Sequence, residues 1–315
     1  VDHSLRLAAF NAENFYLLLD KAYSREELDA LDEVAYLAMN PSIYNQNKDR
    51  GKVAAIARTI IEGDYDLVGL VEVGGMESLA NFNRLYLGGR YDCFLHEENS
   101  RRGIFAGALV KKGAFDSAVA TAMPGAFSRN LLRLNLSRGG ADLEAFVVHL
   151  KSQYGEDRGI AQRMHEVRML ASLVRTASCV VMGDFNGILI RGEAEFEYEP
   201  FLALPFRDVL EAVGVPPSQR WTHYHFDRAG PNFAQLDYIF CSEDIAVLNA
   251  GVLEDVIPLN RAQRDLLPSD HLFIEATIRP RCWRRGFGLL LERLGRALRA
   301  GARPPVGQKG QARKR

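Results

Sequence analysis

Short apolar runs of strand length punctuate this chain, and few segments show helical periodicity. The runs are Leu5–Asn11, Leu67–Glu72, Asp92–Leu95, Phe105–Val110, Phe115–Thr121, Leu131–Leu136, Leu143–His149, Cys179–Asp184, Leu236–Cys241 and Leu272–Ile278. Up to Ile278, helical spacing is found in Lys48–Glu62, Met76–Leu87 and Ile160–Arg175. In the first helix Val53, Ile56, Ala57, Ile60 and Ile61 share a face, and in the third Met164, Val167, Leu170, Ala171 and Val174 do. So many strands with so few helices do not suit a doubly wound sheet. They predict an α/β (α+β) four-layered sandwich: two packed mixed β-sheets flanked by helices. Gly139-Gly140, between two strand-like runs, predicts a hairpin turn. Residues 20–47 and 186–233 read as long irregular connections, where binding residues often sit.

Charge is unevenly distributed. The chain is 47% hydrophobic and 25% charged with a net charge of −1, which is ordinary globular composition. Residues 279–315 carry +11, leaving −12 on residues 1–278. An acidic body argues against broad polyanion binding, whereas the basic end favours it. Trp283, Phe287, Leu290, Leu291, Leu294 and Leu298 recur at helical spacing among Arg284, Arg285, Arg293, Arg296 and Arg299. This predicts a basic amphipathic helix followed by a disordered polar tail, so residues 280–315 form a unit apart from residues 1–279. Residues 283–315 are the expected place for peripheral membrane or nucleic-acid contact, with mere solubilising surface as the plain alternative. No apolar run approaches the roughly 20 residues of a membrane span.

The strand-like runs end on chemistry. Asn11, Glu13 and Asn14 close the first, Glu72 the second, and His149 a third; Asp184 and Asn186 follow a fourth. Asp237 opens a fifth, and Asp270-His271 precedes a sixth. Apolar runs anchor such groups while their polar ends project from a sheet edge, and several at one rim would form a site. Glu72, Asp270, Glu13 and the Asn11 amide are hard oxygen donors suited to Mg²⁺ or Mn²⁺. A His paired with an Asp is tuned for proton exchange near neutral pH. Taken singly, each has a plain reading: a turn Asp, a solvated strand end, a structural His.

Phe10-Asn11-Ala12-Glu13-Asn14, Val71-Glu72-Val73, Val148-His149-Leu150-Lys151-Ser152, Gly183-Asp184-Phe185-Asn186, Leu236-Asp237-Tyr238-Ile239-Phe240 and Ser269-Asp270-His271 occur in one order along the chain. In that order they resemble the endonuclease/exonuclease/phosphatase superfamily, which includes deoxyribonuclease I; the resemblance covers roughly residues 5–279. It implies a catalytic domain over residues 1–279 that hydrolyses phosphodiester bonds with Mg²⁺, or Mn²⁺, by in-line attack of an activated water. Glu72 looks like the principal metal ligand, with Asn11 and Asp270 beside it and Glu13 at an often acidic position. Asp184 looks like the residue that orients or deprotonates water, and Asn186 like the holder of the phosphate. Asp237 looks like the partner of His271, which contacts the phosphate. His149 looks like the second histidine of deoxyribonuclease I and sphingomyelinase-like members; abasic-site endonucleases usually carry Tyr in that region. Lys151, Ser152, Arg129 and Arg133 are candidates for substrate contact, with structural roles equally open. A nuclease is slightly favoured over a phospholipid or small phosphate-ester hydrolase resembling sphingomyelinases or inositol phosphatases, or a non-catalytic binding module. The expected partner is accordingly a nucleic acid or a phospholipid head group.

Cys93, Cys179, Cys241 and Cys282 form no C-x-x-C pair, and the first three lie in or beside strand-like runs. Buried reduced thiols are the expectation, which favours a reducing, cytoplasmic setting. The chain begins at Val, so a removed leader remains open.

Overall fold

The computed structural model describes residues 4–280 except 41, 43, 44, 124, 126, 156, 229 and 254–256. The basic helix and tail expected over residues 283–315 lie outside the described residues. The strands are β1 (Leu5–Phe15), β2 (Leu67–Val73), β3 (Tyr91–Leu95), β4 (Phe105–Lys111), β5 (Ser117–Ala122), β6 (Leu132–Arg138), β7 (Ala141–His149), β8 (Cys179–Asp184), β9 (Phe206–Asp208), β10 (His223–Asp227), β11 (Gly230–Ala234), β12 (Asp237–Ser242), β13 (Ile245–Leu253) and β14 (Phe273–Pro280). The helices are α1 (Arg25–Asp29), α2 (Glu33–Ala38), α3 (Arg50–Gly63), α4 (Gly75–Tyr86), α5 (Ile160–Leu173), α6 (Glu199–Leu202), α7 (Val209–Ala212) and α8 (Arg261–Arg264). None is long and apolar enough to cross a membrane among the described residues.

Two six-stranded sheets run β13-β14-β1-β2-β4-β3 and β5-β6-β7-β8-β12-β9. Each is mixed, with a central parallel pair: β1–β2 in the first, β7–β8 in the second. The central strands are apolar on both faces because each face is covered. In β1, Leu7 and Ala9 enter the core between the sheets, while Ala8 and Phe10 pack with Val53, Ile56 and Ile60 of α3. In β8, Val180 and Met182 face inward; Cys179 and Val181 pack with Val167 and Leu170 of α5. Burying each such side chain contributes about 1.5–3 kcal/mol. The sheets approach closely at Gly69, where an added Cβ would lie 2.7 Å from the Met182 sulfur. The four-layered sandwich expected from the strand pattern is therefore the observed architecture. Gly139 and Gly140, at φ 60° and 76°, turn β6 into β7 as their pairing predicts.

Four strands escaped the sequence reading. β9, β10 and β11 lie in the stretch read as irregular, and the last two form a separate two-stranded ribbon. β13 is an edge strand with small residues and no clean alternation of burial, so period two was not visible in it.

Helix α5 buries charge as well as apolar surface. Arg163 and Glu166 are 1% and 0% exposed on the face that also buries Val167 and Leu170. The Arg163 Nε sits 3.2 Å from Glu197 Oε1, and its NH1 donates to the carbonyls of Lys151 and Arg158. Glu166 accepts from the backbone N–H of Ser128 and of Lys151, each at 2.7 Å. One helix face thus fixes two loops. Arg163→Met leaves Glu197 as an unpaired buried charge, an expected loss of about 3–5 kcal/mol. An unchanged urea midpoint in the variant would contradict that assignment.

Candidate active site

The predicted polar positions converge because both central parallel pairs end at one edge of the sandwich. β7 and β8 place His149 opposite Asp184, and β12 places Asp237 opposite Asp184 from the other side. Asn11 and Glu72 end the adjacent strands of the facing sheet, and Ser269–His271 lead into β14. Local backbone irregularity aims the side chains. The β1–β2 register shifts between Asn11 and Phe15, and the β2–β4 register shifts between Leu70 and Val73. Glu13, Asn14, Glu72 and Asn186 all take positive φ, at 44°, 51°, 61° and 54°. Such backbone is unfavourable for residues with a Cβ, and strand-end irregularity of this kind re-aims side chains at functional sites. Before Asp184, Gly183 is obligatory: its φ is 128°, and a Cβ there would stand 2.1 Å from the Val148 carbonyl oxygen.

Asp184 is 1% exposed and sits at the centre of a hydrogen-bond set. It accepts from Asn11 Nδ2 (3.0 Å), the Asn186 backbone N–H (2.8 Å) and Asn186 Nδ2 (3.1 Å). Burial, and then the neighbouring Asp237 charge, push its pKa up to about 7. His271 lies on the far side, its Nδ1 2.6 Å from Asp237 Oδ2 and its Nε2 3.4 Å from Asn11 Nδ2. Burial opposes the charged imidazole, but the Asp237 charge and hydrogen bond, helped by Asp184 and Asp270, outweigh it and raise its pKa well above the ordinary value. Two hydroxyls brace this pair: Ser269 accepts from the His271 N–H (3.1 Å), and Thr222 accepts from the Asp237 N–H (2.9 Å).

His149 takes the opposite state. Burial, reinforced by Arg129 and His271, drives its pKa well below the ordinary value, so the ring is neutral. Its Nε2 lies 3.5 Å from Asp184 Oδ2 and 3.8 Å from Glu72 Oε1, between the two carboxylates. Asn186 was expected to hold a phosphate, yet Nδ2 gives its hydrogens to Asp184 and to the Leu150 carbonyl at 3.0 Å. In this arrangement it orients Asp184.

The remaining donors are oxygen-rich. Glu72 turns Oε2 to the Asn14 N–H at 2.9 Å and Oε1 towards His149. Asn11 Oδ1 accepts from the Glu13 N–H at 3.0 Å and retains a second lone pair. Burial raises Asp270, but the His223 hydrogen bond and the His271, His223 and Arg264 charges prevail and hold its carboxyl below the ordinary range. Burial, then Asp270, push Glu13 up. These oxygens and their charge fit a hard divalent cation. Among the described residues, the three-residue sets with donor atoms within 4.8 Å of one another are His223–Asp270–His271 and Asp184–Asp237–His271, and neither includes Glu72 or Glu13.

Three nearby residues had no assigned role at the sequence level. Lys48 is buried; its Nζ donates to the Glu13 carbonyl at 2.8 Å and lies 4.0 Å from Glu13 Oε2. Burial lowers its pKa to about 8 against the pull of the Glu13, Asp270 and Glu72 charges. His223 bridges His271 through the backbone, sets its ring tilted with centroids 4.5 Å apart, and reaches Asp270 Oδ2 at 3.7 Å. Arg264 NH1 donates to the same Asp270 oxygen at 3.1 Å. Only an imidazole in a long connection hinted at His223; Lys48 and Arg264 had no local signal. Of the candidate cations, Arg133 pairs with Glu144 away from this cluster, whereas Arg129 feels the Glu72 and Asp184 charges.

No curated protein sequence matches the chain. Solved structures do share the fold. A humanized D. rerio TDP2 aligns with 16% identity and a TM-score of 0.57 over 88% of this chain and 100% of that one. A D. rerio TDP2 complexed with a single-strand DNA product gives 18%, 0.58, 88% and 100% for the same quantities. An endonuclease/exonuclease/phosphatase from Bacteroides vulgatus gives 17%, 0.58, 89% and 100%. Identities this low speak to the fold alone. The sequence model of the Endonuclease/Exonuclease/phosphatase family, however, matches residues 13–271, which span nearly every strand-end group described above. The chain belongs to the endonuclease/exonuclease/phosphatase family.

Proposed function

We propose that this chain is a divalent-metal-dependent phosphoesterase that hydrolyses phosphodiester bonds by attack of water on phosphorus, and that it acts as a nuclease. The observation carrying this reading is the pairing of opposite protonation states in one buried cluster. Asp184 titrates near neutral pH beside a protonated His271 locked to Asp237 at 2.6 Å. Asp184, aligned by Asn11 and Asn186, takes the proton of the attacking water as the new P–O bond forms and the bond to the leaving oxygen breaks. His271 presents positive charge to a phosphate oxygen, where negative charge grows in the transition state. His149, neutral, keeps Glu72 and Asp184 apart in their required orientations. Glu72, Asn11, Glu13 and Asp270 would hold Mg²⁺ or Mn²⁺, which when bound supplies further neutralisation of phosphate charge. A TDP2 with a similar fold was obtained with a single-strand DNA product, which favours nucleic acid as the substrate class.

The test is hydrolysis of bis-(p-nitrophenyl) phosphate with Mg²⁺ or Mn²⁺, followed by a panel of plasmid DNA, RNA, sphingomyelin and inositol phosphates. Hydrolysis abolished by chelator, with nucleic acid preferred in the panel, is the expected result. Glu72→Gln should weaken Mn²⁺ binding, read by calorimetry, at least tenfold. Metal-independent hydrolysis, or unaltered Mn²⁺ affinity in that variant, would remove the metal from the scheme.

A further inference from the structure

A bay of about 1110 Å³ opens beside the catalytic cluster, and four cations line it: Arg101, Arg102, Arg129 and Lys151. Among the described residues none of them is ion-paired with a carboxylate within 4.0 Å. The nearby acid Glu166 turns its oxygens to the Ser128 and Lys151 backbone N–H groups and forms no ion pair with these cations, acting on Arg129 and Lys151 only from a distance. Arg129 is the informative member. It is only 8% exposed, and its NH1 donates to the Leu150 carbonyl over a long 3.4 Å. Burial disfavours its charge, the Glu72 and Asp184 carboxylates offset that only from beyond ion-pair distance, and an anion in direct contact would offset it further.

The bay is continuous with the catalytic groups. Leu150 offers one carbonyl to both Arg129 and Asn186, the residue that orients Asp184. Arg102 donates to Asn14 Oδ1 at 2.7 Å, and the Asn14 N–H holds Glu72. At the rim, Tyr154 is 86% exposed, and its carbonyl accepts from Lys151 Nζ at 2.9 Å. The body is acidic as a whole, so this is a local inversion of charge at the site.

We propose that this bay seats the phosphate adjoining the scissile one, with the base beside it stacked on Tyr154, and that the substrate is therefore a single strand rather than a duplex. This rests on the nuclease reading and specifies it. A single isolated phosphate ester would need one anion site, and the cluster already supplies His271. Consecutive phosphates need cations in succession, and a groove of cations with an aromatic platform is how single strands are held. Arg129 lies at depth, reachable by a flexible strand whose bases can splay outward. A stiff duplex keeps its bases stacked and out of reach of Tyr154.

The experiment measures binding of fluorescein-labelled dT8, and of a blunt eight-base-pair duplex, to the full chain in EDTA across a salt series. Wild-type protein should bind dT8 at least tenfold more tightly than the duplex. Arg101→Gln with Lys151→Gln should weaken dT8 binding and reduce the slope of log affinity against log salt by about 1.4, the counterions of two single-strand phosphate contacts. Tyr154→Ala should weaken it about tenfold with little change in slope. Arg101 and Tyr154 are exposed and Lys151 is half-buried, and a melting curve for each variant checks the fold. Unchanged affinity and slope in the variants, or equal binding of strand and duplex, would overturn the proposal. In a parallel measurement with phosphatidylserine vesicles, variants that lose vesicle binding while keeping dT8 binding would overturn it as well. Wild-type hydrolysis of bis-(p-nitrophenyl) phosphate separates the two readings. Hydrolysis with unaltered dT8 binding in the variants defeats this inference alone. No hydrolysis with bay-dependent dT8 binding defeats the hydrolase and leaves the strand site.

Discussion

Asp184→Asn should lower the metal-supported turnover of a phosphodiester by about 10²–10³-fold, the scale of removing one preorganised catalytic contact. An amide is nearly isosteric with the carboxylate, so the shape of the site is kept, but the proton acceptor is lost and one of the two accepting oxygens becomes an NH2 that faces the N–H donors of Asn11 or Asn186. The pH profile distinguishes loss of a base from loss of geometry. Burial and Asp237 hold Asp184 up at about 7, and the ionised form is the one that accepts a proton. Wild-type activity should therefore rise with pH through roughly that value. In the variant this acid limb should disappear, leaving a flat, low profile. A variant that kept the rising limb near 7 would show that another group sets it, and Asp184 would lose its role as base.

Asp237→Asn carries the second large effect. Its carboxylate is 0% exposed and holds His271 Nδ1 at 2.6 Å. The Asp237 charge and hydrogen bond are the foremost reasons that His271 stays protonated despite burial. Removing the charge leaves burial to dominate, so the imidazole should fall towards the neutral form within the working range. A loss of about 10²-fold in turnover at pH 8 is expected, again on the scale of one electrostatic contact. It should be smaller at pH 6, because acid restores the imidazolium. The stability sign follows the same logic. A histidine whose folded pKa is raised contributes fully below its unfolded value of about 6.5, and the contribution fades as pH rises through the folded value. Denaturation of wild type and variant should thus differ at pH 6 and converge at high pH. A variant whose loss of turnover is independent of pH would mean that Asp237 positions His271 without charging it.

Much of this site was legible before any coordinates. Asn11, Glu72, His149, Asp184, Asp237 and His271 were all visible as polar residues beside apolar runs, and the first four do stand at the ends of central strands, with Asp237 opening β12 and His271 leading into β14. Roles were less legible. Asn186 looked like a phosphate holder, but its amide hydrogens are committed to Asp184 and Leu150. Which hydrogens are free depends on a β8 end and a β7 loop brought together in space, and neither segment specifies that alone. His223 was seen only as a histidine in an irregular connection. Its importance comes from the β10–β11 ribbon folding it against His271.

The positions of most strands along the chain and the polar group beside each were determined by local sequence, because run length and alternation record burial residue by residue, whereas the order of the strands in the sheets came only from the tertiary structure. The four-layered architecture followed from the ratio of strands to helices. Tertiary structure alone decided where the charges meet. Lys48 reaches Glu13 from 35 residues away, and the cations of the basic bay arrive on three separate loops. Electrostatic environment depends on through-space distance and desolvation, and neither leaves a periodic trace in a chain. The strand-end register shifts and positive-φ residues that aim Glu13, Glu72 and Asn186 are likewise products of packing, stabilised only once the surrounding sheets are in place.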